Sequence, residues 1–97
     1  YCRVTVGGRC LVEPAAAPAF SAAQAAGAPV AVPIRPTLAD GLAVGRVGDV
    51  SFPLAATHVD HVVTVDEEAI AIAVVRLLEL EKLVVEGAAA SALAALM

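Results

Sequence analysis

Val59 to Lys82 reads VDHVVTVDEEAIAIAVVRLLELEK, and a change of rhythm inside it decides the fold. Val62, Val63 and Val65 are β-branched and pack well on a pleated surface, so Val59 to Val65 is predicted as a strand. Asp66 then stands where a helix needs an N-cap, with Glu67 and Glu68 in the first turn, where the helix dipole favours negative charge. The predicted helix runs to about Lys82. Ile70, Ala73, Val74, Leu77 and Leu78 recur at i, i+3, i+4 spacing and form its buried stripe, while Glu81 on the same line is left out of it. Arg76, Glu79 and Lys82 lie three apart on another face and can pair.

The same alternation extends to both sides. Residues 2 to 13 cluster Val4, Thr5, Val6, Cys10, Leu11 and Val12, a strand pattern interrupted at Gly7-Gly8. Ala15 to Ala26 is alanine-rich, entered by Pro14 and left by Gly27, the proline-in and glycine-out asymmetry of a helix, with Pro18 tolerated in its first turn. Pro33 and Pro36 keep Pro29 to Ile34 extended. Thr37, Asp40 and Gly41 fall in a polar loop, and Phe52 to His58 is a short helix. After Glu86-Gly87, Ala88 to Met97 is a helix of small residues that lets a neighbouring element come close. Strand, helix, strand, helix argues for an α/β layer with a partly parallel sheet.

Composition narrows the function. The chain has 97 residues, of which 60% are apolar and only 3% aromatic, so its core is built from Ala, Val and Leu and is thin. A domain this small buries a modest fraction of its unfolded surface. Net charge is −4, and the six basic residues are scattered singly, so no basic patch for nucleic acid is expected. Gly87 to Met97 is far shorter than the roughly 20 residues that span a bilayer, so no membrane anchor is expected. No charged region followed by an apolar stretch opens the sequence, so a secretory signal is not expected either. Cys2 and Cys10 would lie roughly 26 Å apart on a continuous strand. A two-residue hairpin at Gly7-Gly8 would not oppose them either, so two reduced thiols in a cytoplasmic protein are expected.

Several residues invite a chemical reading. Asp40-Gly41 is by itself an Asp-Gly turn, Glu86 an exposed helix start, and Glu13 a strand-end carboxylate facing solvent. His58 and His61, with Asp60 between them, have a zinc-like spacing, but the chain passes there from helix to strand, so they read as surface histidines. Ser21, Ser51 and Ser91 lack a glycine elbow or a nearby base. Lys82 is the sole lysine.

LVEP from Leu11, PTLADGLAV at Pro36–Val44, FPL at Phe52–Leu54, VDHVVTVDEEAIAIAV at Val59–Val74 and EKLVVEGAAASALAAL at Glu81–Leu96 occur in one order at one spacing. That order resembles the back half of the catalytic domain of the threonine and serine dehydratases, or ammonia-lyases. These are pyridoxal-phosphate (PLP) enzymes of fold type II related to serine racemase. The likeness covers nearly the whole chain. It implies that residues 1–97 are a partial dehydratase catalytic domain, part of a three-layer α/β fold with a partly parallel sheet and packed helices. The family's Schiff-base lysine in an SFKxRGA-like segment, its glycine-rich phosphate loop and its late serine find no match here. No catalytic residue is therefore assigned to the chain, and the isolated piece is expected to be inactive.

What the resemblance implies for the site is specific. Asp40 and Gly41 match the loop beside the cofactor ring and substrate, and Glu86 matches the glutamate near the PLP ring. Glu13 and the carbonyl of Ala17 match two ligands of a structural cation. The third position is Ala19, which lacks the side-chain oxygen. Lys82 matches a lysine at a helix end, a structural place. The activity implied is β-elimination from L-threonine or L-serine, giving a 2-oxo acid and ammonia in a homo-oligomeric parent enzyme. A serine racemase-type enzyme and a non-catalytic α/β interaction module stand as alternatives.

Overall fold

The computed structural model describes residues 8–97, so the part of the first predicted strand before Gly8 lies outside the described residues. Strand β1 (Cys10–Pro14) is followed by helix α1 (Ala19–Ala26), a 3-10 turn at Asp40–Leu42, helix α2 (Ser51–Ala56), strand β2 (His61–Val65), helix α3 (Glu67–Leu80) and helix α4 (Gly87–Leu96). β1 and β2 pair in parallel, with Cys10 opposite His61 and Pro14 opposite Val65. The Ala15 N–H continues the ladder by donating to the Val65 carbonyl at 2.8 Å.

Successive strand residues point to opposite faces, and the two faces build two cores. Val12, Val63 and Val65 pack with Ala39, Ile70, Ala73, Ala90 and Ala94 under α3 and α4. Leu11 and Val62 pack with Phe20, Ala23 and Phe52 under α1 and α2. The rings of Phe20 and Phe52 meet at 5.5 Å with a 56° tilt, between the offset-stacked and edge-to-face geometries that aromatic pairs prefer. Helices thus cover both sides of a small parallel sheet, the α/β layering expected from the alternating pattern and the three-layer arrangement that the family resemblance implies.

Each helix boundary has a local cause. Asp66 is extended and its carboxylate accepts from the Ala69 N–H at 2.8 Å, the N-cap predicted for α3. Gly27 closes α1 in the left-handed region at φ 78°, where glycine carries no steric cost. Lys82 closes α3 at φ 58° without that advantage, and its ammonium donates to the Glu79 carbonyl at 2.7 Å. Lys82 therefore sits at the negative end of the helix dipole, and Glu79 meets it through the backbone. Among the described residues the ion pair is Arg46 with Asp49 at 2.8 Å, where hydrogen bond and charge hold the exposed Asp49 carboxyl below its ordinary value.

Two expectations are corrected. Leu78 belongs to the predicted buried stripe but is 50% exposed. α3 packs chiefly against α4, a helix of alanines, so the covered stripe is narrow and holds Ile70, Ala73, Val74 and Leu77. Leu78 is turned a further 100° around the helix from Leu77, past that contact. The second correction concerns the thiols: Cys10 is disulfide-bonded, not reduced. Cys2 lies outside the described residues.

Ile70 is 0% exposed, so Ile70→Ala should cost about 2–5 kcal/mol in chemical denaturation, while Leu78→Ala should cost under about 1 kcal/mol. Equal costs would mean that the stripe extends to Leu78 after all.

Candidate active-site wall

The loop after Pro36 is held by groups at both of its flanks. Thr37 Oγ1 donates to Glu67 Oε2 at 2.7 Å, and the Leu38 N–H donates to Glu67 Oε1 at 2.6 Å. Thr37 Oγ1 also accepts from the Ala39 N–H at 3.1 Å. Ala39 is 0% exposed and plugs the loop into the α3–α4 core. The chain then turns: the Leu42 N–H donates to the Ala39 carbonyl at 2.8 Å, and the Ala43 N–H donates to the Asp40 carbonyl at 3.1 Å. That turn leaves Asp40 and Gly41 exposed at its outer edge.

The other side of the wall is the start of α4. Glu86 is its extended N-cap residue, exposed, and its carboxylate makes no capping bond. The Glu86 carboxylate is therefore available to something other than its own helix. A Cβ built on Gly41 would lie 3.3 Å from the Ala88 Cβ and 3.9 Å from Glu86 Oε1. A Cβ on Gly87 would overlap the Leu38 carbonyl, so the first turn of α4 touches the loop backbone where only glycine fits. Gly41 and Glu86, remote in sequence, are thus brought together, with Asp40 next to Gly41 in the same turn.

Glu13 is placed elsewhere. It is 7% exposed, which corrects the picture of a strand-end carboxylate facing solvent. Alternation along β1 turns it toward α1, where Oε2 accepts from the Phe20 N–H and Oε1 from the Ser21 N–H, both at 2.9 Å. The Ser21 hydroxyl also donates to Oε1, at 2.5 Å. Pro18, the N-cap of α1, offers no side-chain cap, so Glu13 supplies from a neighbouring strand what the local sequence lacks. Glu13, Ala17 and Ala19 line one cavity of about 360 Å³ with Phe20, Leu42 and Ser51. A cation there would share the Glu13 carboxylate with the helix.

The histidines take surface roles. His58 Nδ1 lies 3.3 Å from Arg9 Nη1, and Asp60 Oδ2 accepts from the Arg9 N–H at 2.7 Å. Among the described residues no three His, Cys, Asp or Glu side chains converge in a way that could hold a metal ion. Ser91 Oγ donates to the Gly87 carbonyl at 3.0 Å, a helix-internal bond. Sequence reasoning missed Glu67 as a partner of the loop and Gly87 as a contact. The only available signal was an acid beside an N-cap already supplied by Asp66, which left Glu67 without a necessary local task.

The chain thus joins a parallel sheet with helices on both faces to a glycine turn packed against a helix start. The family profile described as pyridoxal-phosphate dependent enzyme matches residues 8–97, and the chain belongs to that family. The chain is 52% identical over 86 residues to the L-threonine ammonia-lyase of Geobacter sulfurreducens, covering 89% of this chain and 21% of that protein. Among solved structures, the T.th. threonine deaminase superposes with a TM-score of 0.83 at 37% identity, over 90% of this chain and 30% of that one. Maize serine racemase superposes at 0.82 and 36% identity, over 89% of this chain and 26% of that one. The chain therefore spans about a fifth of the length of the curated relative.

Gly87→Ala should push α4 off the Leu38 carbonyl and cost about 1–3 kcal/mol in chemical denaturation. Gly41→Ala, whose Cβ meets only side-chain atoms, should cost less. A harmless Gly87→Ala would refute the backbone contact.

Proposed function

We propose that this chain forms one wall of the PLP pocket of an enzyme that eliminates the β-hydroxyl of L-threonine or L-serine, giving a 2-oxo acid and ammonia. The observation that carries the proposal is the placement of Gly41 against Glu86 beside Asp40, the residues that the family resemblance assigns to the cofactor's surroundings. The 52% identity to an L-threonine ammonia-lyase supports threonine as the substrate. Serine racemisation is a second reading, favoured by the near-equal superposition on the maize enzyme.

The geometry suits a flat, polar ring. Gly41 has no side chain, and the space a Cβ would fill lies against Ala88 and Glu86, so the turn backbone sits close to the start of α4. Glu86 adds a carboxylate at the same rim, free of its own helix, to accept a hydrogen bond from the ligand or substrate. Asp40 adds a second carboxylate at the outer edge, where an amino acid entering the pocket would pass. PLP, when bound, supplies the electron sink for the carbanion at the amino acid's α-carbon. Lys82 takes no part, because it is exposed and committed to the end of α3. Glu13 and Ala17 contribute no chemical step here, since the carboxylate of Glu13 is engaged by α1.

In the full-length enzyme, Asp40→Ala and Glu86→Ala should each lower kcat by about tenfold or more. Wild-type kinetics for both would remove this wall from the reaction. Separately, titrating the 97-residue chain with PLP should give no visible band that disappears in Lys82→Ala; such a band would make Lys82 a covalent anchor.

A further inference from the structure

We propose that Glu67 is the positioning residue of the Asp40–Gly41 turn, fixing its distance from Glu86 through a two-point grip on the loop. The inference rests on the reading of this rim as a cofactor wall. Asp66 already caps α3 through the Ala69 N–H, so the Glu67 carboxylate is released from capping. Both of its oxygens are instead spent on the loop, one on the Thr37 hydroxyl and one on the Leu38 N–H. A charged acceptor shared by two donors is roughly twice as strong per bond as a neutral one and fixes orientation as well as distance. The position also favours the charge, because Glu67 opens α3, where the helix dipole is positive.

The grip acts on the peptide that also touches α4. Leu38 offers its N–H to Glu67 and its carbonyl to the bare face of Gly87, so both polar ends of one residue are set by different helices. Thr37 extends the grip by accepting from the Ala39 N–H, and Asp40 and Gly41 follow directly. α3 is a stable reference for this purpose, since Ile70 and Ala73 anchor it in the core with no exposure. Removing the carboxylate frees Thr37 and Leu38 together and lets the turn drift relative to Glu86. A displacement near 1 Å at a reacting centre costs on the order of a hundredfold in rate.

The test uses the full-length PLP-bound enzyme and two readouts, steady-state kinetics and the visible circular dichroism of the bound cofactor. Glu67→Ala should lower kcat by about tenfold to a hundredfold and change the cofactor dichroism. Thr37→Val should shift both in the same direction, and Glu67→Gln, which keeps an acceptor for the Leu38 N–H, should recover part of the loss. The double variant Glu67→Ala with Thr37→Val should be no worse than Glu67→Ala alone, because the two residues form one network. Glu67→Ala with a lower melting temperature but wild-type kcat and dichroism would make the residue a stabiliser of α3 only and overturn the proposal. If Glu67→Ala does not fold, wild-type kcat and dichroism in Thr37→Val overturn it equally. Should the wild-type enzyme consume neither threonine nor serine, the proposed activity fails, while the dichroism still decides the role of Glu67.

Discussion

Backbone meets backbone where the first turn of α4 lies on the Leu38 peptide, and a side chain at Gly87 would overlap the Leu38 carbonyl. That contact determines how closely α4 approaches the loop, and the loop in turn presents Asp40 and Gly41. Ala88 and Ala90 continue the small-residue approach along the helix, and Ala39 answers from the loop side as a fully buried plug. A larger residue at any of these points would separate the two elements, and the rim formed by Gly41 and Glu86 would open. Close approach without bulky side chains also explains why the core is made largely of alanine.

Three carboxylates near helix starts do three different jobs. Asp66 caps its own helix through a bond within three residues. Glu13 caps α1 from an adjacent strand, because Pro18 offers no acceptor of its own. Glu67 opens α3 yet turns outward to hold Thr37 and Leu38. In each case a carboxylate meets N–H or O–H donors that would otherwise need water, and in Glu13 and Glu67 the charge joins separate segments. Glu86 differs, since it occupies an N-cap position and leaves its carboxylate unspent. An acid placed to cap and yet not capping is the feature that sets this rim apart from the structural acids.

The apolar inventory was legible as pattern and less legible as burial. Ile70 and Ala73 lie in the core as their spacing implied, and Leu78 does not, because one alanine-rich helix covers only a narrow stripe. Val84, in the link between α3 and α4, is 89% exposed despite its apolar setting in LVVEG.

Local order and chain identity were already present in the linear text. β-branched runs marked the strands, Asp66 and Gly27 marked a helix start and a helix end, and PTLADG with VVEG marked the family. The strand and helix signals depend on residues within a few positions of one another, and the family signal on the order of short motifs along the chain, so no fold is needed to read them. Tertiary structure alone decided the rest. Thr37 and Glu67 are 30 residues apart in the chain, Gly41 and Glu86 further still, and Glu13 meets α1 only because strand alternation turns it to that face. Such pairings depend on strand register and on the distance between helices, and those are set by packing across the whole molecule and not by any local preference.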